Sequence, residues 1–182
     1  LLRNEDIGEG AMRTTLRIQR SAERAKGLVG DLLDFTQARL GSGIPIVRRE
    51  VDLHDIVSHV LEEVQIAHPE REVRVVASGS TIGQWDPGRV AQVVANLLTN
   101  AMKYGEAARE ISIRTEGDDR WATFEVHNWG TAIAPETLPV VFHPMQRGSK
   151  DGADRSLGLG LYIVKHIVDA HGGTITVTSD AV

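Results

Sequence analysis

The feature that most constrains this chain is a long amphipathic segment that ends in a glycine- and proline-rich break. Between residues 11 and 40 the apolar residues recur at helical spacing, with Ile18, Ala25 and Leu32 seven residues apart. Other apolar side chains widen this stripe, namely Ala22, Leu28, Val29, Leu33 and Phe35. Residues 41–45 end the helix, because glycine favours the left-handed cap conformation and proline cannot continue the hydrogen-bond ladder. The pattern predicts a long helix and a boundary near residue 44.

A stripe of this width must pack against another element, and the sequence places no second helix directly beside it. A bundle formed with a preceding helix or with a second subunit is the usual arrangement for such a helix. We therefore expect residues 1–44 to be part of a helical bundle element and residues 45–182 to be a separate domain. Packing of the helix on its own domain is the alternative.

Beyond the boundary, strand and helix signals alternate along the chain. Runs of β-branched residues bounded by turn residues predict strands at residues 46–51, 72–77, 81–85, 110–116, 121–127 and 174–179. Helical patterns predict helices at residues 53–67, 159–170 and, after an Asp86 cap, up to about residue 104, with a short helix near residues 136–142. This mixture predicts an α+β domain with helices on one face of a sheet.

Charge and composition narrow the classes of function. The chain has 20 Lys and Arg residues against 25 Asp and Glu, a net charge of −5, so it lacks the basic excess on which binding to nucleic acid or membrane surfaces depends. It has no cysteine, which excludes disulfides, thiolate metal sites and cysteine nucleophiles. There is also no apolar run of membrane-spanning length. We expect a cytoplasmic domain without membrane contact in these residues, whether or not a full-length protein is anchored.

Three polar residues share one face of the helix that Asp86 caps. Asn96, Asn100 and Lys103 stand at positions i, i+4 and i+7, while apolar residues occupy the opposite side. An amide oxygen suits a hydrated magnesium ion, and a lysine one turn away can meet a phosphate. Asparagine is a poor helix former, so two on one face require a reason other than local structure. A merely solvated face is the alternative.

Closely spaced glycines open the last predicted helix. Gly158 and Gly160 alternate with Leu159 and Leu161. Glycines leave backbone N–H groups uncovered and allow a phosphate to approach the positive end of a helix. The spacing matches neither the P-loop nor the dinucleotide fingerprint, and a tight packing turn is the alternative.

A third polar position follows a predicted strand. Asn128 precedes Gly130 and Ile133, and its amide can donate and accept together at the edge of an adenine. An Asx-turn is the alternative. Farther along, residues 147–155 form a polar, glycine-containing segment with Arg147 and Lys150, which suits a mobile lid that brings basic residues near phosphate.

Taken in order, these segments resemble the N, G1, F and G2 boxes of the GHKL ATPases, and specifically those of histidine kinases. The motifs that carry the resemblance are Asp86-Pro87-x-Arg89-Val90-x-Gln92-Val93 before the N-box, Phe142-x-Pro144-Met145, Gly158-Leu159-Gly160-Leu161 and His171-Gly172-Gly173. The resemblance implies the Bergerat fold, a two-layer α/β sandwich whose mixed sheet carries helices on one face. The helix in residues 1–44 looks like the second helix of the dimerisation and histidine phosphotransfer hairpin of this family.

The resemblance further implies a Mg²⁺-ATP site with assigned roles. Asn100 would ligate Mg²⁺, Asn96 would lie beside the phosphates, and Lys103 would contact a phosphate. The remaining nucleotide-binding positions would be Tyr104, Asn128, Gly130 and Ile133 around the base, and Gly158, Leu159, Gly160 and Leu161 near the phosphates, with Arg147 or Lys150 from the lid.

Several positions depart from the family pattern. Asn128 stands where an aspartate usually reads the adenine amino group, and Ala132 replaces the usual second G1 glycine. An amide accepts a hydrogen bond without charge assistance, so we expect weaker nucleotide binding. Ser156 stands where the G2 box often begins with glycine, and the sequence lacks both the phosphoacceptor histidine motif and the strand that usually completes the sheet.

The resemblance implies a histidine kinase that transfers the ATP γ-phosphoryl group to a histidine outside this chain, from which the aspartate of a response-regulator receiver domain takes it. A homodimer through the N-terminal helices is also implied. One alternative is a non-catalytic scaffold that binds nucleotide poorly. Another is an ATPase of the gyrase, MutL or chaperone type, although those typically carry a glutamate where this chain has Asn96.

Overall fold

The computed structural model describes residues 2–41, 43–118, 120–146 and 157–180. Its elements follow in the order α1 (Leu2–Arg39), β1 (Arg49–Asp52), α2 (Leu53–Ala67), β2 (Val73–Gly79), β3 (Ile82–Trp85), α3 (Pro87–Tyr104), β4 (Ile111–Gly117), β5 (Ala122–Asn128), a 3₁₀ helix (Leu138–Val140) and α4 (Gly160–Ala170). The predicted α+β class with a long N-terminal helix is confirmed.

The strands form two small sheets. β1 and β3 pair antiparallel, and a second sheet has the order β2-β4-β5, in which β4 is parallel to β2 and antiparallel to β5. The second sheet is therefore mixed, as the resemblance implies. Its register aligns Val73 with Ile111 and Ile111 with Asn128, so the start of β2 and the end of β5 lie at the same end of the sheet.

Three predicted elements differ from the structure. The strand predicted at residues 46–51 begins only at Arg49, because pairing with β3 starts there and the backbone N–H of Val47 donates to Asp86 instead. The helix predicted near residues 136–142 is reduced to a 3₁₀ helix at Leu138–Val140. Residues 174–179 are not a strand among the described residues. Their burial alternates as in a strand, but a strand also requires a ladder partner.

Two apolar clusters hold the helices in place. The first lies between α2, α3 and the mixed sheet and includes Val57, Val94, Leu98 and Ile113. The second joins α3 to α4 and includes the buried residues Ile44, Val93, Leu159, Ile163, Val164 and Ile167. Burial of each such side chain contributes about 1.5–3 kcal/mol, so the clusters fix the two helices that carry the polar and glycine motifs.

The last turns of α1 pack on this domain. Phe35 adds to the second cluster, and its ring centroid lies 5.5 Å from that of Tyr162 on α4. Farther back, Val29, Leu32 and Leu33 are each more than half exposed. The end of α1 thus packs on the domain that follows it, as in the alternative given above. Most of the apolar stripe on α1 remains exposed. No helix in the described ranges combines the length and apolarity needed to cross a bilayer.

Candidate functional site

The polar face of α3 forms one wall of the candidate site. Asp86 caps the helix by accepting a hydrogen bond from the backbone N–H of Arg89 at 3.1 Å, and Pro87 occupies the first turn. The apolar face is buried against the sheet. As a result Asn96 and Asn100 are half-buried on the other face, and Lys103 is exposed at the helix end. The structure thus places all three on the predicted face.

The N-terminus of α4 forms the second wall, and it abuts Asn96. A Cβ atom added to Gly160 would lie 2.8 Å from Asn96 Oδ1, so only glycine leaves room for this amide. Gly158 has a φ of 66°, a conformation that favours glycine, and its carbonyl accepts from the backbone N–H of Met145 at 2.9 Å. Leu159 between them is buried and anchors the turn. The asparagine and glycine motifs, about sixty residues apart, therefore meet in one place.

A third wall comes from the end of β5, which runs beside the end of α3. Gly105 and Gly130 form an isolated antiparallel bridge, and the backbone N–H of Glu106 donates to the carbonyl of Trp129 at 2.7 Å. A side chain at Gly130 would overlap the carbonyl oxygen of Tyr104. The structure thus brings the N-box end and the predicted base-reading residue Asn128 together through backbone contacts.

The remaining predicted site residues occupy different positions around these walls. Lys103 Nζ lies 4.8 Å from the ring centroid of Tyr104, so the cation sits over the aromatic face. The backbone N–H of Ile133 donates to Ser179 Oγ at 2.9 Å, which ties the G1 segment to the chain after α4. Leu161 is half-buried in the first turn of α4. Arg147 and Lys150 lie outside the described residues, as does Ser156.

Backbone hydrogen bonds lower the pKa of Asp86, the residue that caps α3. Burial by itself would raise the pKa of Asp86, but the backbone N–H groups of Val47, Arg89 and Gly88 outweigh it and lower that pKa. The backbone N–H of Asp86 in turn donates to His171 Nε2 at 3.0 Å. His171 therefore joins the start of α3 to the end of α4.

One buried residue near the site, Arg71, is not predicted by the sequence. Arg71 lies between α2 and β2 in the charged run Glu70-Arg71-Glu72, which is typical of a solvated loop, yet its side chain is buried. Its Nη1 donates to the carbonyl of Glu106 at 2.7 Å, beside the end of α3. Nothing in the local pattern predicts this burial, which depends on the sheet register.

Comparison with known families decides the class of this domain. Residues 85–181, more than half of the chain, match the family of histidine kinase-, DNA gyrase B- and HSP90-like ATPases. This chain belongs to that ATPase family. The matched range contains every site residue predicted from the motifs, from Asn96 to Leu161.

Similar proteins within this family are sensor histidine kinases. CusS of Escherichia coli K12 is 35% identical over 162 residues, which make up 87% of this chain and 33% of that protein. The solved structure of the mycobacterial sensor histidine kinase MprB aligns with a TM-score of 0.60 and 27% identity, over 69% of this chain and 81% of that one. Full-length ShkA, solved in complex with AMPPNP, aligns with a TM-score of 0.67 and 30% identity, over 84% of this chain and 32% of that one.

These comparisons confirm the resemblance drawn from the motifs: the domain is a GHKL catalytic domain of the histidine-kinase type. The chain spans between 22% and 37% of the length of the curated relatives it matches at 30–35% identity. The ATPase family is therefore established for this domain, and the activity of a whole protein is a separate question.

Proposed function

We propose that this chain is the ATP-binding catalytic part of a sensor histidine kinase, which transfers the γ-phosphoryl group of ATP to a histidine that lies outside these residues. The observation that carries the proposal is the close approach of Asn96 Oδ1 to Gly160 at the start of α4, where an added Cβ atom would lie 2.8 Å from that oxygen. It joins an amide-bearing helix face to the positive end of another helix, where backbone N–H groups favour phosphate.

The residues of the chain would act by positioning and by neutralising charge. The N–H groups of the first turn of α4, next to Gly158 and Gly160, would donate to phosphate oxygens. Lys103, exposed at the end of α3, would swing from the Tyr104 ring toward a phosphate. Asn128 would face the base across the Gly105–Gly130 bridge. Phosphoryl transfer requires little covalent chemistry from the protein, so such positioning supplies most of the catalysis.

Magnesium fits this donor set through an amide oxygen. The described residues contain no cluster of three His, Asp or Glu side chains that could hold a metal ion. A magnesium ion would be held by the amide oxygen of Asn100, the nucleotide phosphates and water, and it would neutralise charge on the phosphates. Asn96 hydrogen-bonds to the backbone carbonyl of Gln92 at 3.0 Å, which leaves its own oxygen directed at Gly160.

The exposed stripe of α1 suits a homodimer interface. Its apolar residues lie on a helix whose end alone packs on the catalytic domain, so a second copy would cover the remainder. A response-regulator receiver domain is the proposed acceptor partner, and a cytoplasmic location is proposed with it.

Calorimetric titration of the chain with AMPPNP, with and without Mg²⁺, tests the nucleotide site. We expect saturable binding that Mg²⁺ strengthens, and we expect Asn100→Ala to lose the magnesium effect while its thermal unfolding is unchanged. Thr99→Ala, at an exposed neighbouring position on the same helix, is the matched control and should behave as the wild type.

Phosphotransfer is tested on a longer chain that also includes the proposed acceptor histidine. With ATP and Mg²⁺ it should form an acid-labile phosphoprotein, and Asn100→Ala should not. A folded chain that binds no AMPPNP would instead support the non-catalytic scaffold, which the neutral Asn128 favours because it lacks the charge of the usual aspartate.

A further inference from the structure

Arg71 is a buried cation with unused hydrogen-bond donors. It is only 7% exposed, and its Nη1 donates to the carbonyl of Glu106 at 2.7 Å. Its Nε and Nη2 atoms are also buried, and neither has a hydrogen-bond partner among the described residues. Buried polar groups are nearly always paired, and an unpaired charged donor is especially costly. These donors therefore point to an acceptor that is supplied only in another state of the site.

One of the unused donors, Nη2, lies near Asn128, the residue predicted to read the base. A Cβ atom added to Gly105 would lie 2.9 Å from Arg71 Nη2 and 3.3 Å from Asn128 Cβ. The guanidinium and the Asn128 side chain thus border the same small space, which exists because residue 105 has no side chain. Gly105 also bridges to Gly130, so this space lies next to the segment expected to surround the base.

The Asn128 amide is poorly held by its present contact. Its Nδ2 lies 3.5 Å from the carbonyl oxygen of Trp129, at the outer limit of hydrogen bonding. A turn of the amide would therefore lose only this long hydrogen bond. A guanidinium only donates, whereas an amide offers both an acceptor oxygen and a donor nitrogen. Of the two polar atoms of the Asn128 amide, only the oxygen can accept a hydrogen bond from Arg71.

We propose that Arg71 is a positioning residue of the nucleotide site, which orients the Asn128 amide by donating from Nη2 to Asn128 Oδ1, directly or through one water. The inference rests on the proposed function and extends it. With its oxygen engaged by a cation, the amide is polarised and its Nδ2 becomes a stronger donor. Asn128 then reads the base by donating to a ring nitrogen instead of accepting from the adenine amino group.

This reading mode has a consequence for base recognition. Removal of the 6-amino group leaves the N1 acceptor of the purine in place. ADP and purine riboside diphosphate, which lacks that amino group, should therefore bind the wild-type chain with affinities that agree within about twofold. A loss of about a hundredfold for the analogue would show that Asn128 reads the amino group through its oxygen, and it would overturn the proposal.

A double-mutant cycle on the full 182-residue chain tests the link between the two residues, with Mg²⁺-ADP binding measured by calorimetry. We expect Arg71→Gln to weaken ADP binding by about tenfold in the wild-type background and by less than about twofold in the Asn128→Ala background. Arg74→Gln, an exposed arginine on β2, is the matched control and should leave affinity unchanged.

The outcomes separate a positioning role from a structural one. If Arg71 only supports the Glu106 carbonyl, its replacement weakens binding by the same factor in both backgrounds, and the proposal fails. If Arg71→Gln does not fold, Arg71→Lys retains the charge without the planar fork, and the same cycle is measured with it. Failure of the wild-type chain to bind ADP or AMPPNP would overturn the proposed function together with this inference, whereas binding with additive losses overturns the inference alone.

Discussion

Arg89 Nη1 donates to both carboxylate oxygens of Asp34, at 2.8 and 2.9 Å, and so ties α1 to the helix that carries the asparagine motif. Gln92 Nε2 adds a third hydrogen bond to this carboxylate at 2.8 Å. The carbonyl of Gln92 accepts from Asn96. The end of α1 is therefore held one helical turn away from the candidate phosphate site.

Replacement of Asp34 should destabilise the docked end of α1. Asp34→Ala leaves the Arg89 guanidinium half-enclosed without its carboxylate, and we expect a loss of about 2–3 kcal/mol in the free energy of unfolding. Urea denaturation at one fixed protein concentration measures it, because self-association would otherwise shift the apparent stability.

Asp31 provides the control for this experiment. It lies one turn earlier on α1, and burial together with the nearby Asp34 charge raises its pKa. Asp31→Asn removes a repulsive charge and should leave stability at pH 7 unchanged or slightly higher. Equal losses for the Asp31 and Asp34 variants would show that the Arg89 pair contributes nothing specific.

The contact between α3 and α4 should be sensitive to one methyl group. Gly160→Ala would place a Cβ atom 2.8 Å from Asn96 Oδ1 and force that amide away from the helix end. We expect AMPPNP binding to weaken by about tenfold, equivalent to about 1.4 kcal/mol. Calorimetric titration measures the change.

Gly88→Ala is a matched control for Gly160→Ala. A Cβ at Gly88 would lie 3.6 Å from an Asp86 oxygen, an ordinary contact, and the position is also in the first turn of a helix. It should bind AMPPNP as the wild type does. Unchanged binding by Gly160→Ala would mean that the contact with Asn96 does not shape the site.

The uncovered stripe of α1 should govern self-association. Leu32 is 54% exposed, on a helix face with several other exposed apolar residues. If a second copy covers this face, Leu32→Lys would bury a charge at the interface, and we expect the chain to become monomeric in analytical ultracentrifugation. Glu23→Lys changes charge at an exposed polar position on the opposite side of the same helix and should leave the dimer intact. A wild-type chain that sediments as a monomer at high concentration would refute the dimer.

Asp52, the N-cap residue of α2, should make the free energy of unfolding depend on pH. The hydrogen bond from the Thr81 hydroxyl is the main cause that lowers the pKa of Asp52 below its ordinary value of 3.8, and the backbone N–H of His54 adds to it. A lowered pKa in the folded state means that the ionised carboxylate stabilises the fold above the ordinary pKa. This stabilisation is lost as pH falls through the lowered value.

Asp52→Asn isolates this effect because an amide still caps a helix but does not ionise. The difference in unfolding free energy between wild type and variant should be greatest near neutral pH and should shrink below about pH 4. Urea denaturation across that range measures it. A difference that does not change with pH would show that the charge of Asp52 is not responsible.

Local chemistry is sufficient to predict α2, α3 and α4. The helix predicted at residues 53–67 is observed at Leu53–Ala67, and α3 begins at Pro87 behind the Asp86 cap as predicted. Caps, glycine breaks and apolar periodicity act within a few residues, so the sequence alone shows them. The same applies to the common face of Asn96, Asn100 and Lys103, which helical spacing determines.

Which of these residues meet depends on how the helices and the sheet pack. Three features join residues that are far apart in sequence. They are the close approach of Asn96 to Gly160, the Asp34–Arg89 pair and the hydrogen bond from Arg71 to Glu106. They depend on how α1, α3 and α4 pack and on the register that aligns β2 with the end of β5. The outcome at residues 174–179 also depends on tertiary structure. Alternation predicted a strand there, but a strand forms only where another backbone supplies its hydrogen bonds.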